Sequence, residues 1–184
     1  GAIANDVHGK NHGHAGSIGC SVNEIELVRT GDPGGRRIGP ETDPELFAAT
    51  IGGLGLTGLI TTAALTAVKI PSAYLAQTTI PFSHVNEFFD LSEENGKTHE
   101  FTVSWIDCTA GGPHLGRGFF QCSNWSEGGD YSPHTDSQRL RVPFDAPGFT
   151  LNPLTLKAFN SLYTAWNTMK AGTARVHYSS FFFP

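Results

Sequence analysis

The densest group of chemically capable side chains in the 184-residue chain lies at its start. Asn5, Asp6, His8, Lys10, Asn11, His12 and His14 put three imidazoles, one ammonium, one carboxylate and two amides into ten positions. Two chemistries fit that set. One is a metal centre: His8 and His12 stand four apart, on one face of a helix, and His14 supplies a third ligand, the number that catalytic zinc uses. Against it, Gly9 replaces the acid of the H-E-x-x-H pattern, and Gly9 and Gly13 weaken any helix. The other is a cofactor or anion pocket. Glycines let backbone N–H groups come close to a ligand, and Lys10 brings a compact positive charge. Neutral His and Asn both donate and accept toward a heteroaromatic ring. The plain alternative is a surface loop whose polar groups serve only its own backbone.

A second group is the string Ile51-Gly52-Gly53-Leu54-Gly55-Leu56-Thr57-Gly58-Leu59-Ile60. Four glycines in seven residues permit positive φ and close backbone approach. A helix precedes this string and a strand follows it, the reverse of the dinucleotide fingerprint G-x-G-x-x-G, so a Rossmann fold is not supported. Trp105, Asp107 and Cys108 stand at a strand end, where a buried Trp is more often core than ligand wall. Cys20, Cys108 and Cys122 show neither redox nor zinc spacing and read as small buried hydrophobes.

The elements that hold these groups follow from patterning. Residues 1–19 have no apolar period and read as an ordered loop with a short helix. IELVRT (25–30) is a strand, and Arg36–Ile38 returns as its hairpin partner after a Gly-Pro turn. Thr42-Asp43-Pro44-Glu45 starts a helix, with a polar cap, proline in the first turn and an acid at the positive end. Residues 59–70 and 73–82 read as strands. HVNEFFDLSEEN (84–95) is a helix, with Val85, Phe88, Phe89 and Leu91 on one face. Residues 99–107 and 115–125 are strands, 126–138 a polar loop, and RLRVPF extended chain. Pro153 opens a helix over 154–170 whose apolar face carries Leu156, Phe159, Leu162, Tyr163 and Trp166. RVHYSSFFF is a last strand. More strands than helices, with the helices separated, predict an α+β fold, with a seam near residues 71–75. Phe181, Phe182 and Phe183 read as an apolar end that needs covering.

Composition limits the partners. Twelve basic against 17 acidic residues, net charge −5, argue against nucleic acid and against a polybasic membrane-surface module. The first residues lack the basic start and apolar core of a signal peptide, which points to the cytoplasm. The uncharged stretch between Glu45 and Lys69 is broken by Gly and Thr, so it reads as turn and strand rather than a transmembrane segment.

GAIANDVHGKNHGHAGSIG, then ELFAATIGGLGLTGLI, then a strand with SWIDC and HLGRG, resemble the FAD-linked oxidases of the vanillyl-alcohol oxidase and p-cresol methylhydroxylase type, in their order and spacing from residue 1 to about 125. The resemblance implies a PCMH-type flavin domain of two α+β subdomains. Residues 1–71 would be the C-terminal part of that domain, and 72–184 the first part of an α+β substrate domain. It implies that Gly1, Asn5, Asp6, Val7 and His8 line FAD, that Gly9 and Lys10 continue the wall toward the substrate, and that the Ile60 backbone meets the adenine end. Trp105 would stand near the substrate pocket. The implied activity is oxidation of a carbinol of the sugar or sugar-lipid class by hydride transfer to flavin. The implied catalytic base and first flavin subdomain lie outside these residues, so the stretch alone is expected to be inactive. A small metal-binding protein built on His8, His12 and His14, or a non-catalytic module that self-associates through exposed apolar ends, are the readings that compete with it.

Overall fold

The computed structural model describes residues 1–134, 147–148 and 152–183. The polypeptide is mixed α and β with antiparallel sheets, an α+β fold. It divides into two compact units, Gly1–Lys69 and Ile70–Pro184, each described here by itself.

In the first unit a short helix α1 (His12–Ala15) leads through a 3-10 turn into β1 (Val22–Arg29). β1 forms a hairpin with β2 (Asp32–Ile38), then come α2 (Pro44–Thr50) and β3 (Leu59–Leu65). The sheet order is β2-β1-β3, antiparallel throughout, so β3 is an outer strand. Alternation along β1 sends Val22, Ile25 and Leu27 into a core with Ile38 of β2 and Phe47 of α2. The helix starts as its cap residues dictate: the Asp43 side chain accepts from the Leu46 amide, and Pro44 occupies the first turn. β3 stops at Leu65, short of the strand expected through residue 70. Leu65 stands opposite Val22, the first residue of β1, so the ladder has no further strand to pair with.

In the second unit β4 (Tyr74–Phe82), α3 (Val85–Asn95), β5 (Phe101–Ile106), β6 (Gly118–Trp125), α4 (Pro153–Thr168), β7 (Gly172–His177) and α5 (Tyr178–Phe182) follow in order. The strands form an antiparallel sheet in the order β5-β6-β4-β7. One face packs Phe82, Phe120 and Cys122 with Phe88 and Leu91 of α3. Leu75 and Phe101, of alternate parity, join Phe181 in a separate cluster.

Several expectations are corrected. Residues 178–182 form a helix, not the end of a strand: the His177 side chain caps it by accepting from the Ser179 amide. That turn carries Phe181 into the cluster with Leu75 and Phe101, so the apolar end is partly interior, although Phe183 remains exposed. Of the cysteines, only Cys122 is buried, while Cys20 and Cys108 are exposed. On α4, for which the sequence gives a face and no direction, Phe159, Leu162 and Trp166 are all more than half exposed. The extended reading of RLRVPF falls outside the described residues. Among the described residues, no helix is long and apolar enough to cross a membrane.

Candidate functional site

The N-terminal loop closes on the glycine string. The first turn is held by bonds from the Asn5 amide to the Gly1 carbonyl (3.0 Å) and from the Asp6 amide to the Ile3 carbonyl (3.0 Å). The same stretch then accepts from the elbow: the Gly52 amide donates to the Ile3 carbonyl (3.1 Å), and the Leu54 amide to the Ala4 carbonyl (2.8 Å). Ile3, Ile51 and Ile60 all pack against the core of the first unit, so one apolar cluster fixes the loop, the start of the elbow and the strand that leaves it. Full burial of one such side chain contributes about 1.5–3 kcal/mol, and these three half-buried ones correspondingly less.

Asp6 braces the loop from within. Its backbone has φ +46, and its carboxylate accepts from Ser17 Oγ (2.8 Å) and the Gly19 amide (2.9 Å). Each of its oxygens is therefore tied to a donor within the loop. Gly19 is required there. A Cβ at this position would stand 2.6 Å from Ile51 Cγ2 and 2.8 Å from Asp6 Oδ1. Beyond Asp6 the chain runs out as a bridge, His8 pairing with Ser17, and the Val7 carbonyl accepts from the Ile18 amide.

The outer surface of this loop is formed by Gly1, Asn5, Val7, His8 and Gly9, all exposed, with Lys10 half-buried beside them. Burial lowers the Lys10 ammonium below its ordinary pKa, because a charge taken from water is disfavoured unless an anion compensates it. His8 and His12 lie with ring centroids 4.5 Å apart. They do not share a helix face, because α1 begins only at His12. Among the described residues no group of three or more His, Cys, Asp or Glu side chains is placed to hold a metal ion, so the His8/His12/His14 centre is not formed.

On its other side the elbow lines an open groove of about 1080 Å³. Residues 55–59 form one wall, and the β1–β2 turn, with Arg29, Asp32 and Arg36, forms the other. Gly58 permits this approach: at φ +152, a Cβ would stand 2.6 Å from the Val28 carbonyl oxygen. Ile60 follows immediately, with its side chain toward the core and its backbone on the outer strand of the sheet.

In the second unit Trp105 belongs to an aromatic group. It stacks on Phe119 (centroids 5.6 Å, planes 13° apart) and meets Tyr163 of α4 edge-on at 5.1 Å, while Phe159 stacks on Tyr163 at 5.8 Å. Two residues further, fully buried Asp107 anchors a polar network. Arg117 donates from Nε to Oδ2 (3.2 Å) and holds its Nη2 in ion-pair contact with the same oxygen (3.2 Å) while donating it to Ser161 Oγ, and Thr109 and, from α4, Asn160 donate to Oδ1. Burial, the largest single influence, pushes the Asp107 carboxyl up, but these donors together outweigh it and hold the group below the ordinary carboxylate range. The SWIDC and HLGRG strings thus meet at one ion pair. Sequence reading singled out Trp105 and Asp107 but missed Arg117, Asn160, Phe119 and Tyr163 as their partners. The signal was an acid and an arginine at the two ends of adjacent predicted strands.

Comparison with known proteins agrees with the direction of these motifs. The chain is similar to a decaprenylphosphoryl-beta-D-ribose oxidase. That relative, from Mycolicibacterium smegmatis, is 36% identical over 119 residues, which is 64% of this chain and 26% of the relative. An uncharacterized protein in the mprA 5' region of Streptomyces coelicolor is 32% identical over 118 residues, 64% of this chain and 31% of that protein. The chain thus spans about a quarter to a third of the length of these curated relatives. No protein-family model matches it.

Proposed function

We propose that the chain is part of an FAD-dependent oxidoreductase that oxidises a carbinol of a sugar or lipid-linked sugar, acting in the cytoplasm. Residues 1–71 would form the second subdomain of a PCMH-type flavin domain and 72–184 the first part of its substrate domain. The observation that carries the reading is the hydrogen-bonded closure of the loop on the elbow through the Gly52 and Leu54 amides. The similarity to an oxidase named for a decaprenylphosphoryl ribose supports the substrate class.

The residues present suit a dinucleotide. Exposed Gly1, Asn5, Val7, His8 and Gly9 offer a wall of polar groups and open backbone, and the groove beside residues 55–59 gives a second stretch in which Gly55 and Gly58 alternate with apolar leucines opposite Arg29 and Arg36. FAD, when bound, supplies the hydride acceptor. Lys10 would place a cation by the ring, where reduction builds negative charge, and its partly desolvated ammonium strengthens that interaction. The backbone near Ile60 would bind the adenine end, and Trp105 would wall the substrate pocket. Leu54, Leu56, Leu59 and Leu65 are exposed around the elbow and β3, the apolar surface that a first flavin subdomain would cover.

Half a trench binds poorly, since contact energies enter the binding constant exponentially. The test is titration of the chain with FAD, followed by the visible flavin spectrum and the melting temperature. Weak saturable binding without turnover is expected. Turnover by this chain alone would overturn its proposed inactivity, and no binding at any attainable FAD concentration would overturn the flavin reading.

A further inference from the structure

The Trp105 indole is oriented by rings alone. It stands directly across the ladder from Phe119, and the two rings lie nearly parallel. Tyr163 of α4 closes on both, edge-on to Trp105 at 5.1 Å and tilted against Phe119 at 5.7 Å. Neither the indole N–H nor the Tyr163 hydroxyl has a hydrogen-bond partner among the described residues. Aromatic pairs attract over centroid separations of about 4.5 to 7 Å, so such contacts hold a ring without fixing it. What fixes Tyr163 is therefore the seat of its helix.

That seat is polar and lies one turn away. Asn160, three residues before Tyr163, shares its helix face. It donates from Nδ2 to Asp107 Oδ1 (2.8 Å) and to Thr109 Oγ1 (3.2 Å). Ser161 accepts from Arg117 Nη2 (2.9 Å), and Arg117 is paired with Asp107. Asp107 follows Trp105 by two residues, and its amide donates to the Arg117 carbonyl, so the acid stands just past the end of the strand that carries the indole. Strand and helix are thus joined at two neighbouring points, by a buried carboxylate and by stacked rings. Hydrogen bonds to a charged group act over a narrow range of length and direction, and a buried polar network holds one arrangement. The polar joint supplies the definition that the aromatic joint lacks.

We propose that Asn160 and Tyr163 are positioning residues for Trp105. The Asp107 joint seats α4, α4 sets Tyr163 against the indole, and the indole keeps its free N–H and half-exposed ring for the substrate. The inference rests on the reading of Trp105 as a wall of the substrate pocket. Both residues act through the indole, so they govern how well substrate is held rather than the transfer step.

The experiment follows the indole N–H signals of the chain by nitrogen–proton NMR, with Trp105→Phe to identify the one that matters. Tyr163→Leu and Asn160→Ala should each shift the Trp105 signal and leave that of Trp125 in place, because Trp125 packs with Phe101 and Phe182 instead. Tyr163→Phe should keep the wild-type position, since the hydroxyl is unused. If Asn160→Ala loses helical circular dichroism, Ser161→Ala, which removes the Arg117 contact, replaces it. A Trp105 signal unmoved by Tyr163→Leu, or unmoved when the polar joint is broken, overturns the proposal. In the flavin-loaded oxidoreductase of which the chain is proposed to be part, with decaprenylphosphoryl ribose as the probe, Asn160→Ala and Tyr163→Leu should raise KM about tenfold and change kcat less than about twofold. A fall in kcat at unchanged KM overturns it. A wild-type enzyme that leaves the probe unoxidised refutes the substrate reading, while the indole signals still decide the positioning.

Discussion

The two units solve the same problem, holding a candidate ligand wall, with different materials. In Gly1–Lys69 the wall is backbone: carbonyls of Ile3 and Ala4 receive amides of Gly52 and Leu54, and Gly19 and Gly58 leave room for close passage. In Ile70–Pro184 the corresponding region is side chain, Trp105 stacked among Phe119 and Tyr163 over a buried Asp107–Arg117 pair. Backbone construction leaves atoms exposed to a ligand at little entropic cost. Side-chain construction gives stiffness and depends on every partner being present.

That contrast predicts where damage is greatest. Asp107→Ala should cost about 3 kcal/mol in urea unfolding, because it strands a partly buried guanidinium and the Asn160 amide. The pH dependence follows from the lowered Asp107 pKa: its contribution is fully present above the unfolded carboxylate value of about 3.9 and is lost as pH falls through the lower folded value. Asp107→Asn should therefore flatten the acid limb of the stability curve, and a limb as steep as the wild type's would show that the network is not ionic.

Gly19→Ala should cost about 2 kcal/mol, since the added methyl meets Ile51 and the Asp6 carboxylate. Hydrogen exchange at the Gly52 and Leu54 amides reads it directly. Unchanged protection there would mean that the loop does not depend on this close approach. Lys10→Met should weaken FAD binding about tenfold, the loss of one charge-assisted bond. Equal affinity would remove Lys10 from the wall. Smallest is Ser123→Ala. Its buried hydroxyl has no hydrogen-bond partner among the described residues, so the substitution should stabilise by about 1 kcal/mol in the same urea measurement.

The same contrast governs what could be read in the sequence. Glycine strings and capping residues act locally, so the elbow, the Asp43 cap and the β1–β2 hairpin are legible in the sequence. Asp107 with Arg117 was not, because the pairing depends on β5 lying against β6, a non-local fact. The YSSFF turn defeated periodicity, because a run of aromatics suits strand and helix alike until the His177 cap and the pocket for Phe181 decide between them. On α4 the amphipathic pattern is legible but its orientation is not. Periodicity finds a face and does not say which way it turns. Likewise the histidine spacing suggested a shared helix face, but Gly9 and Gly13 leave only four residues of helix there.

The most direct test of the central claim is hydrogen exchange of the chain with and without saturating FAD, resolved to single amides. The account predicts protection at Val7–Lys10 together with Gly55–Ile60, in one concentration-dependent step. Protection at neither segment, or at one without the other, would contradict a shared dinucleotide wall.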